Sequence, residues 1–262
     1  MKSPELLVPA GNLEKLRTAV LYGADAVYTG YEGLSLRTSQ AEFGLADLAT
    51  GVKEAHAKGV KVYTALNVFA RNSQLKSVSE AVRNLSEIGI DGIILSDPGV
   101  FQLVRAVNAS IPVHLSTQAN TTNVEAVRFW RRQGVQRIVL ARELNLKEVA
   151  EITQAVPEME FELFIHGAMC MAYSGRCFLS AALTGRSANQ GECTHPCRWE
   201  YLLVEKSRPE RPLRLETDLS GSVPYSHILS SKDLCMIKYL PEVLAAGINS
   251  LKIEGRMKSV YY

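Results

Sequence analysis

The sequence predicts a (β/α)8 barrel of the TIM type, an α/β protein built on a parallel sheet, and two observations carry that expectation. A pattern of Gly, a small or aliphatic residue, two variable positions and a short apolar run recurs at Gly23 (GADAVYTG), Gly59 (GVKVYTAL), Gly89 (GIDGIILS), Gly134 (GVQRIVLA) and Gly247 (GINSLKIE). Eight strand-like apolar runs are present, and helical segments separate the first seven. Strands alternating with helices imply a parallel sheet, and eight of them imply closure into a barrel. The first strand runs into PAGNLEKL, with one glycine where a dinucleotide-binding turn has three, which weakens the open doubly wound alternative.

In chain order the strands are expected near Leu6 (LLVPA), Val27, Val62, Ile93, Val113 (VHLSTQ), Ile138, Leu163 (FELFIHG) and Leu251. At each repeat the glycine closes a helix, because it enters the left-handed conformation without a Cβ penalty, and the apolar run that follows reads as a strand buried on both faces. The segments before the glycines have helical spacing, as in Leu48, Val52, Ala55 and Ala57, or Val78, Val82, Leu85 and Ile88. The last strand is expected to end at about Arg256, six residues before Tyr262, leaving no room for an eighth helix. Either the chain is a truncated piece of a longer protein, or another segment covers that flank.

In such a barrel the loops after the strands build the mouth where chemistry sits. The strand ends are polar: Asn67, Asp97, Gln118 with Asn120, Arg142 with Glu143, His166, and Glu254 with Arg256. Singly, each is as readily a cap or an ion-pair partner as a catalytic group; together they predict a polar pocket. Residues 1–262 are read as a single barrel domain. After the seventh strand, residues 168–233 interrupt the repeat, with TGRSANQGECTHPCRWEY and a charged, hairpin-like LLVEKSRPERPLRLETD. An excursion of that length carries function or forms a small subdomain.

The insertion begins with the cysteines, Cys170-x6-Cys177-x15-Cys193-x3-Cys197, with Cys235 beyond it. MKSPELLVPAGN has no basic region leading into an apolar stretch, so no secretory signal is visible and the reducing cytoplasm is the expected compartment. Five thiols cannot all pair internally. In such a setting a cluster points to metal binding or redox chemistry, since thiolates select zinc or iron–sulfur. Structural zinc favours two short Cys-x2-4-Cys knuckles, and only Cys193 and Cys197 are that close. His166 and His195 are further candidate ligands, although a lone His is more often a hydrogen-bonding residue. The remaining numbers are plain: 262 residues, 47% hydrophobic, 21% charged and a net charge of +2. They give no global nucleic-acid footprint. Arg131, Arg132 and Arg137 are expected to form a modest basic patch, and no segment reads as a membrane span.

The run from Glu162 to Ser180, ELFIHGAMCMAYSGRCFLS, resembles the signature of the collagenase-like U32 peptidase family. LLVPAGN, HLSTQANTTN, NQGECTHPCRWEY, SSKDLCM and SLKIEGRMKSVYY resemble further stretches of that family, so the likeness covers essentially the whole chain. Family members usually continue past the motif that ends here, which agrees with truncation. The resemblance implies an RNA- or quinone-hydroxylating protein with a 4Fe–4S cluster on four cysteines, and for RNA-modifying members prephenate as the oxygen source. SSKDLCM and LKIEGRMKS point to the branch that hydroxylates the tRNA wobble uridine at C5. By the same resemblance Cys170, Cys177 and Cys193 are ligands. The fourth is Cys197 or Cys235, with Cys235 preferred because it would pin the insertion to the barrel. His166, Glu254 and Arg256 are the expected catalytic groups, tRNA the expected substrate and a related family subunit a candidate partner.

Two other classes remain open. A peptidase is implied by the family's name, but the chain has no Gly-x-Ser-x-Gly and no His-Glu-x-x-His. A thiol peptidase would use Cys170 with His166 or His195, which leaves the other cysteines unexplained. The third class is a cluster-binding scaffold that pairs with a related subunit.

Overall fold

The computed structural model describes residues 3–35, 43–211, 215–217, 221–223 and 225–262. Eight parallel strands close into a barrel: β1 (Glu5–Pro9), β2 (Ala26–Gly30), β3 (Lys61–Ala65), β4 (Gly92–Leu95), β5 (Val113–Leu115), β6 (Arg137–Val139), β7 (Glu160–Gly167) and a closing strand, Ser250–Ile253. The closing strand pairs with β7 on one side and β1 on the other, while β6 pairs with β7 to complete the ring. All eight expected strands are present. Helices α1 (Leu13–Leu21), α2 (Leu45–His56), α3 (Leu75–Glu87), α4 (Pro98–Val107), α5 (Val124–Arg132) and α6 (Leu146–Ala155) separate the first seven, as the periodicity predicts.

The five repeat glycines have φ between +74° and +89°, with open space where a Cβ would stand. Their role is conformational, ending one helix and turning the chain into the next strand. Helix starts are set locally by Asn12, Asp97, Asn123 and Asn145, whose side chains accept from backbone N–H groups of the first turn. Apolar strand residues facing outward, among them Val27, Val62, Ile93, Leu115, Ile138 and Phe161, pack against Leu16, Leu48, Val82, Leu85 and Val149 of the helices to form the main core.

The barrel interior is different. A small apolar group, Leu7, Ala26, Tyr28, Tyr63, Ala65 and Ile94, is set apart from the main core. Charged side chains fill much of what remains. Arg137, at the start of β6, is 5% exposed and pairs with Glu5 at 2.5 Å, Glu160 at 2.8 Å and Glu162 at 3.5 Å. The expected basic patch therefore loses Arg137: the strand alternation turns it inward, where three carboxylates receive it. Glu5 also accepts from Tyr63 Oη at 2.8 Å and Ser250 Oγ at 3.1 Å. One layer higher, Lys252 Nζ lies 2.6 Å from Glu162.

Between β7 and the closing strand the chain builds a lid: a short helix α7 (Leu179–Thr184), single turns near Ala188 and Pro196, and small antiparallel ladders. Tyr201–Leu202 pairs with Tyr225–Ser226, and Leu215–Thr217 with Gly221–Val223, so the charged stretch pairs with the chain that follows it; within it, among the described residues, only Glu205 and Arg208 form a bridge, residues 212–214 and 218 lying outside the described set. Leu234–Cys235 then runs antiparallel against His166 and Gly167, and α8 (Leu240–Ala245) leads into the closing strand. That strand ends at Ile253, three residues earlier than expected. Among the described residues no helix follows it, and an apolar groove of about 610 Å³ lies on that flank between Val8, Leu21, Tyr22, Ile253 and Tyr261. No helix among the described residues is long and apolar enough to cross a membrane.

Candidate active site

The mouth of the barrel holds two adjoining cavities. The inner recess, about 70 Å³, is lined by Asn67, Gln118, Arg142, Lys252, Glu254 and Arg256, with Tyr28 and Phe164 as its aromatic walls. Five of the polar strand-end residues thus converge as expected. Asn67 donates to Gln118 at 2.7 Å, Arg142 donates to the carbonyl of Ala168 at 2.6 Å while stacking 4.0 Å from the Phe164 ring centre, and Arg256 donates to Ser35 Oγ at 3.2 Å. The carboxylate of Glu254 accepts from the backbone of Ala168 at 3.4 Å. Tyr28 Oη is committed to the carbonyl of Ile253 at 2.9 Å, and burial pushes its ionisation far above the ordinary phenol range.

The other predicted residues lie elsewhere. Asp97 caps α4 by accepting from Val100, Glu143 is exposed in the turn after β6, and Asn120 accepts from Arg176 at 3.1 Å. His166 does not line the recess; its Nδ1 is 3.2 Å from Tyr262 Oη. Lys252 is the residue that sequence reasoning missed. Its signal was present in the alternation of Ser250 and Lys252, which puts both on the inner face of the closing strand, with Glu254 just past its end.

The outer cavity, about 500 Å³, lies between the mouth and the lid and shares Thr117, Gln118 and Arg142 with the recess. Cys170, Cys177, Cys193 and Cys197 all line it, together with Met171, Phe178 and His195. All five cysteines are free thiols. Burial raises the Cys197 thiol; Arg198 opposes that, while Cys170, Cys193 and Cys177 add to it. The other three sulfurs are therefore near enough to Cys197 to act on it. Yet among the described residues no three Cys, His, Asp or Glu side chains gather around one point as a single metal ion requires. A set of soft donors spread around a cavity suits a multi-atom cluster better than a lone ion. Thr117 Oγ1 and Asn189 Oδ1, which also face this cavity, are buried and lack a hydrogen-bond partner among the described residues.

Cys235 does not line the cavity. Its strand is fixed to β7 by backbone pairing, extended by Met236 N donating to the carbonyl of Ile165 at 2.8 Å. Arg198 strengthens the same attachment, binding Ser230 Oγ at 2.6 Å, the carbonyl of Met169 at 2.9 Å and the carbonyl of Ser231. The anchoring for which Cys235 was preferred is thus supplied without its sulfur. On the opposite rim Gln190 donates to the carbonyl of Phe69 at 2.7 Å, so the lid is held across the mouth.

A parallel eight-stranded barrel whose mouth is covered by a cysteine-lined lid defines the class. Within it, the chain belongs to peptidase family U32, which it matches over residues 11–262. It is 41% identical to "tRNA hydroxylation protein P" of Escherichia coli (strain K12), across 100% of this chain and 66% of that protein. It is 43% identical to "tRNA hydroxylation protein P1" of Bacillus subtilis (strain 168), across 100% of this chain and 60% of that one. The chain therefore spans less than two thirds of the length of these relatives. Among solved structures, that of the U32 peptidase Mk0906 superposes with a TM-score of 0.58 at 17% identity, covering 97% of this chain and 96% of that one, a likeness of fold.

Proposed function

We propose that this chain is the barrel of an RNA-hydroxylating enzyme acting on the wobble uridine of tRNA, with a 4Fe–4S cluster on thiols of the lid and prephenate as oxygen source. The observation that carries the reading is the pair of relatives named for tRNA hydroxylation, more than 40% identical along the entire chain, barrel mouth and lid included. The chemistry of the donor set supports the cofactor. Four thiols line one cavity that opens onto a recess carrying Arg142, Lys252 and Arg256, cations suited to phosphate or carboxylate groups. The geometry favours Cys170, Cys177, Cys193 and Cys197 as the holding set. When bound, the cluster supplies electron transfer or substrate activation next to the mouth. The protein's own part is to orient: Cys193 Sγ accepts from the backbone N–H of His195 at 3.4 Å, a contact of the kind that tunes cluster potential, and Arg142 borders both cavities.

Two measurements test this. Nucleoside mass spectrometry of tRNA from a deletion strain, complemented with wild type, should show 5-hydroxyuridine-derived nucleosides lost and restored; unchanged levels in a strain without a paralogue reject the substrate. Iron and sulfide analysis after anaerobic purification should show a cluster that Cys197→Ala loses and Cys235→Ala retains. The reverse pattern would restore Cys235 as the fourth ligand. The family's name also supports a peptidase reading. His166 is engaged with Tyr262, and a peptide-cleavage assay on the same protein should be negative.

A further inference from the structure

Lys252 has only a binding role in the proposed reading, as one of three cations lining the recess. It is 3% exposed and lines the inner recess. Its Nζ sits 4.4 Å from the centre of the Tyr28 ring and 5.3 Å from that of Phe164, with the Glu162 carboxylate at 2.6 Å. Glu162 is fully buried and also faces Arg137 at 3.5 Å. The buried set Glu5, Glu162, Arg137 and Lys252 balances two negative charges against two positive. Moving one proton from Nζ to Glu162 leaves that balance unchanged and produces a free amine at the floor of a cavity. Lys252 thus has a proton acceptor on one side and the recess on the other.

We propose that Lys252 is a reactive lysine that captures a small carbonyl compound at the barrel mouth as an imine. Glu162 takes the ammonium proton, and the Nζ lone pair adds to the carbonyl carbon. The nitrogen then passes a proton to the former carbonyl oxygen, giving a carbinolamine. Its hydroxyl leaves as water with the proton returned by Glu162, and the C=N bond forms as a protonated imine. One water is released, no redox change occurs, and the total charge is conserved. Other groups facing Lys252 act in the same sense. Burial lowers its basicity, Arg256 and Arg137 lower it further, and Glu162 alone opposes them, leaving the amine below its ordinary value. The recess admits only a few atoms, which limits the reacting end to an aldehyde or an unhindered ketone. The rest of the molecule has the larger cavity beyond Thr117, Gln118 and Arg142.

The inference rests on the barrel mouth being the reaction site, and its test reads a covalent mass rather than RNA modification. The full chain is incubated at pH 7 with glyoxylate and cyanoborohydride, and adducts are located by peptide mass spectrometry. Lys76 and Lys147, 90% and 87% exposed, serve as internal references. Lys252 should be labelled faster than either, because more of its amine is unprotonated at pH 7. Glu162→Gln should slow labelling at Lys252 and leave the references unchanged, and unfolding in guanidinium should abolish the preference. Equal or slower labelling of Lys252 in the native wild type overturns the proposal, whether or not the variant folds. A positive nucleoside assay with a negative label would retain the hydroxylase and discard the imine; the converse would retain the reactive lysine alone.

Discussion

Arg137 places a guanidinium near the base of the barrel interior, where barrels of this type usually stack branched aliphatic side chains. Burial works against its charge, but Glu162 and Glu5 raise its pKa above the ordinary value. Burial likewise disfavours ionised Glu5, and the bonds from Arg137, Tyr63 and Ser250 outweigh it, leaving Glu5 below 4.5. Removing one partner of such a set strands the other. Glu5→Gln should cost about 3 kcal/mol in chemical denaturation, toward the low end for a broken buried pair because Glu160 and Glu162 remain. The sign of the pH effect follows from the depressed pKa. The stability that Glu5 contributes is complete above its unfolded value and fades as pH falls through the folded one, so the variant should lose part of the acid limb seen in wild type. Equal acid sensitivity in both proteins would show that other carboxylates govern it. His114, in the same interior, is kept neutral by burial together with Arg137, Lys252 and Lys61, so it adds no titration near neutrality. None of this was legible in the sequence, where Arg137 reads as part of a basic patch with Arg131 and Arg132. Only the strand register shows that it points inward.

Elements were far easier to read than side chains. The five glycine repeats mark helix ends because a left-handed residue is required there and the space around it is open, so the sequence signal is purely local. Gly134→Ala should accordingly cost only about 1 kcal/mol in thermal or urea unfolding, since its φ of +88° is strained for alanine and nothing obstructs the methyl group. Gly167 is the contrasting case. At φ +126° a Cβ would come within 2.4 Å of Glu254 Cβ, so Gly167→Ala should displace Glu254 from the mouth and cost several times more than Gly134→Ala. Similar midpoints for the two would mean that the closing strand yields freely at Glu254. The lid was legible as an insertion but not in its attachments. Cysteine spacing suggested sulfur as the fastening, whereas a guanidinium, Arg198, and a two-residue antiparallel strand do much of it through backbone groups that have no sequence signature. Arg198→Ala should therefore increase proteolysis within residues 199–233 while leaving the barrel resistant.

At the scale of the whole molecule, barrel and lid differ in what holds them. The barrel has a continuous apolar core between sheet and helices, whereas the lid is short elements joined mostly by hydrogen bonds, with Met171, Tyr173, Phe178, Leu183 and Trp199 left exposed. Its four cavity-lining cysteines come from separate stretches: Cys170 just after β7, Cys177 before α7, and Cys193 and Cys197 around the turns that follow. A cluster bound to them would close loops of several lengths at once, stabilising the lid by restricting its open ensemble, while the barrel gains only at the shared rim. Removing iron with a chelator under reducing, oxygen-free conditions should then act unevenly. Hydrogen exchange of amides in residues 168–200 should accelerate by orders of magnitude, those of β2 to β4 should remain protected, and the main unfolding midpoint should move by no more than a few degrees. If barrel and lid lose protection together, the lid is part of one cooperative unit with the barrel, and the division between a self-sufficient scaffold and a metal-dependent cover is wrong. If neither changes on loss of iron, the hydrogen bonds of Arg198, Gln190 and Arg176 suffice to hold the cover, and the thiols serve chemistry without contributing to the architecture.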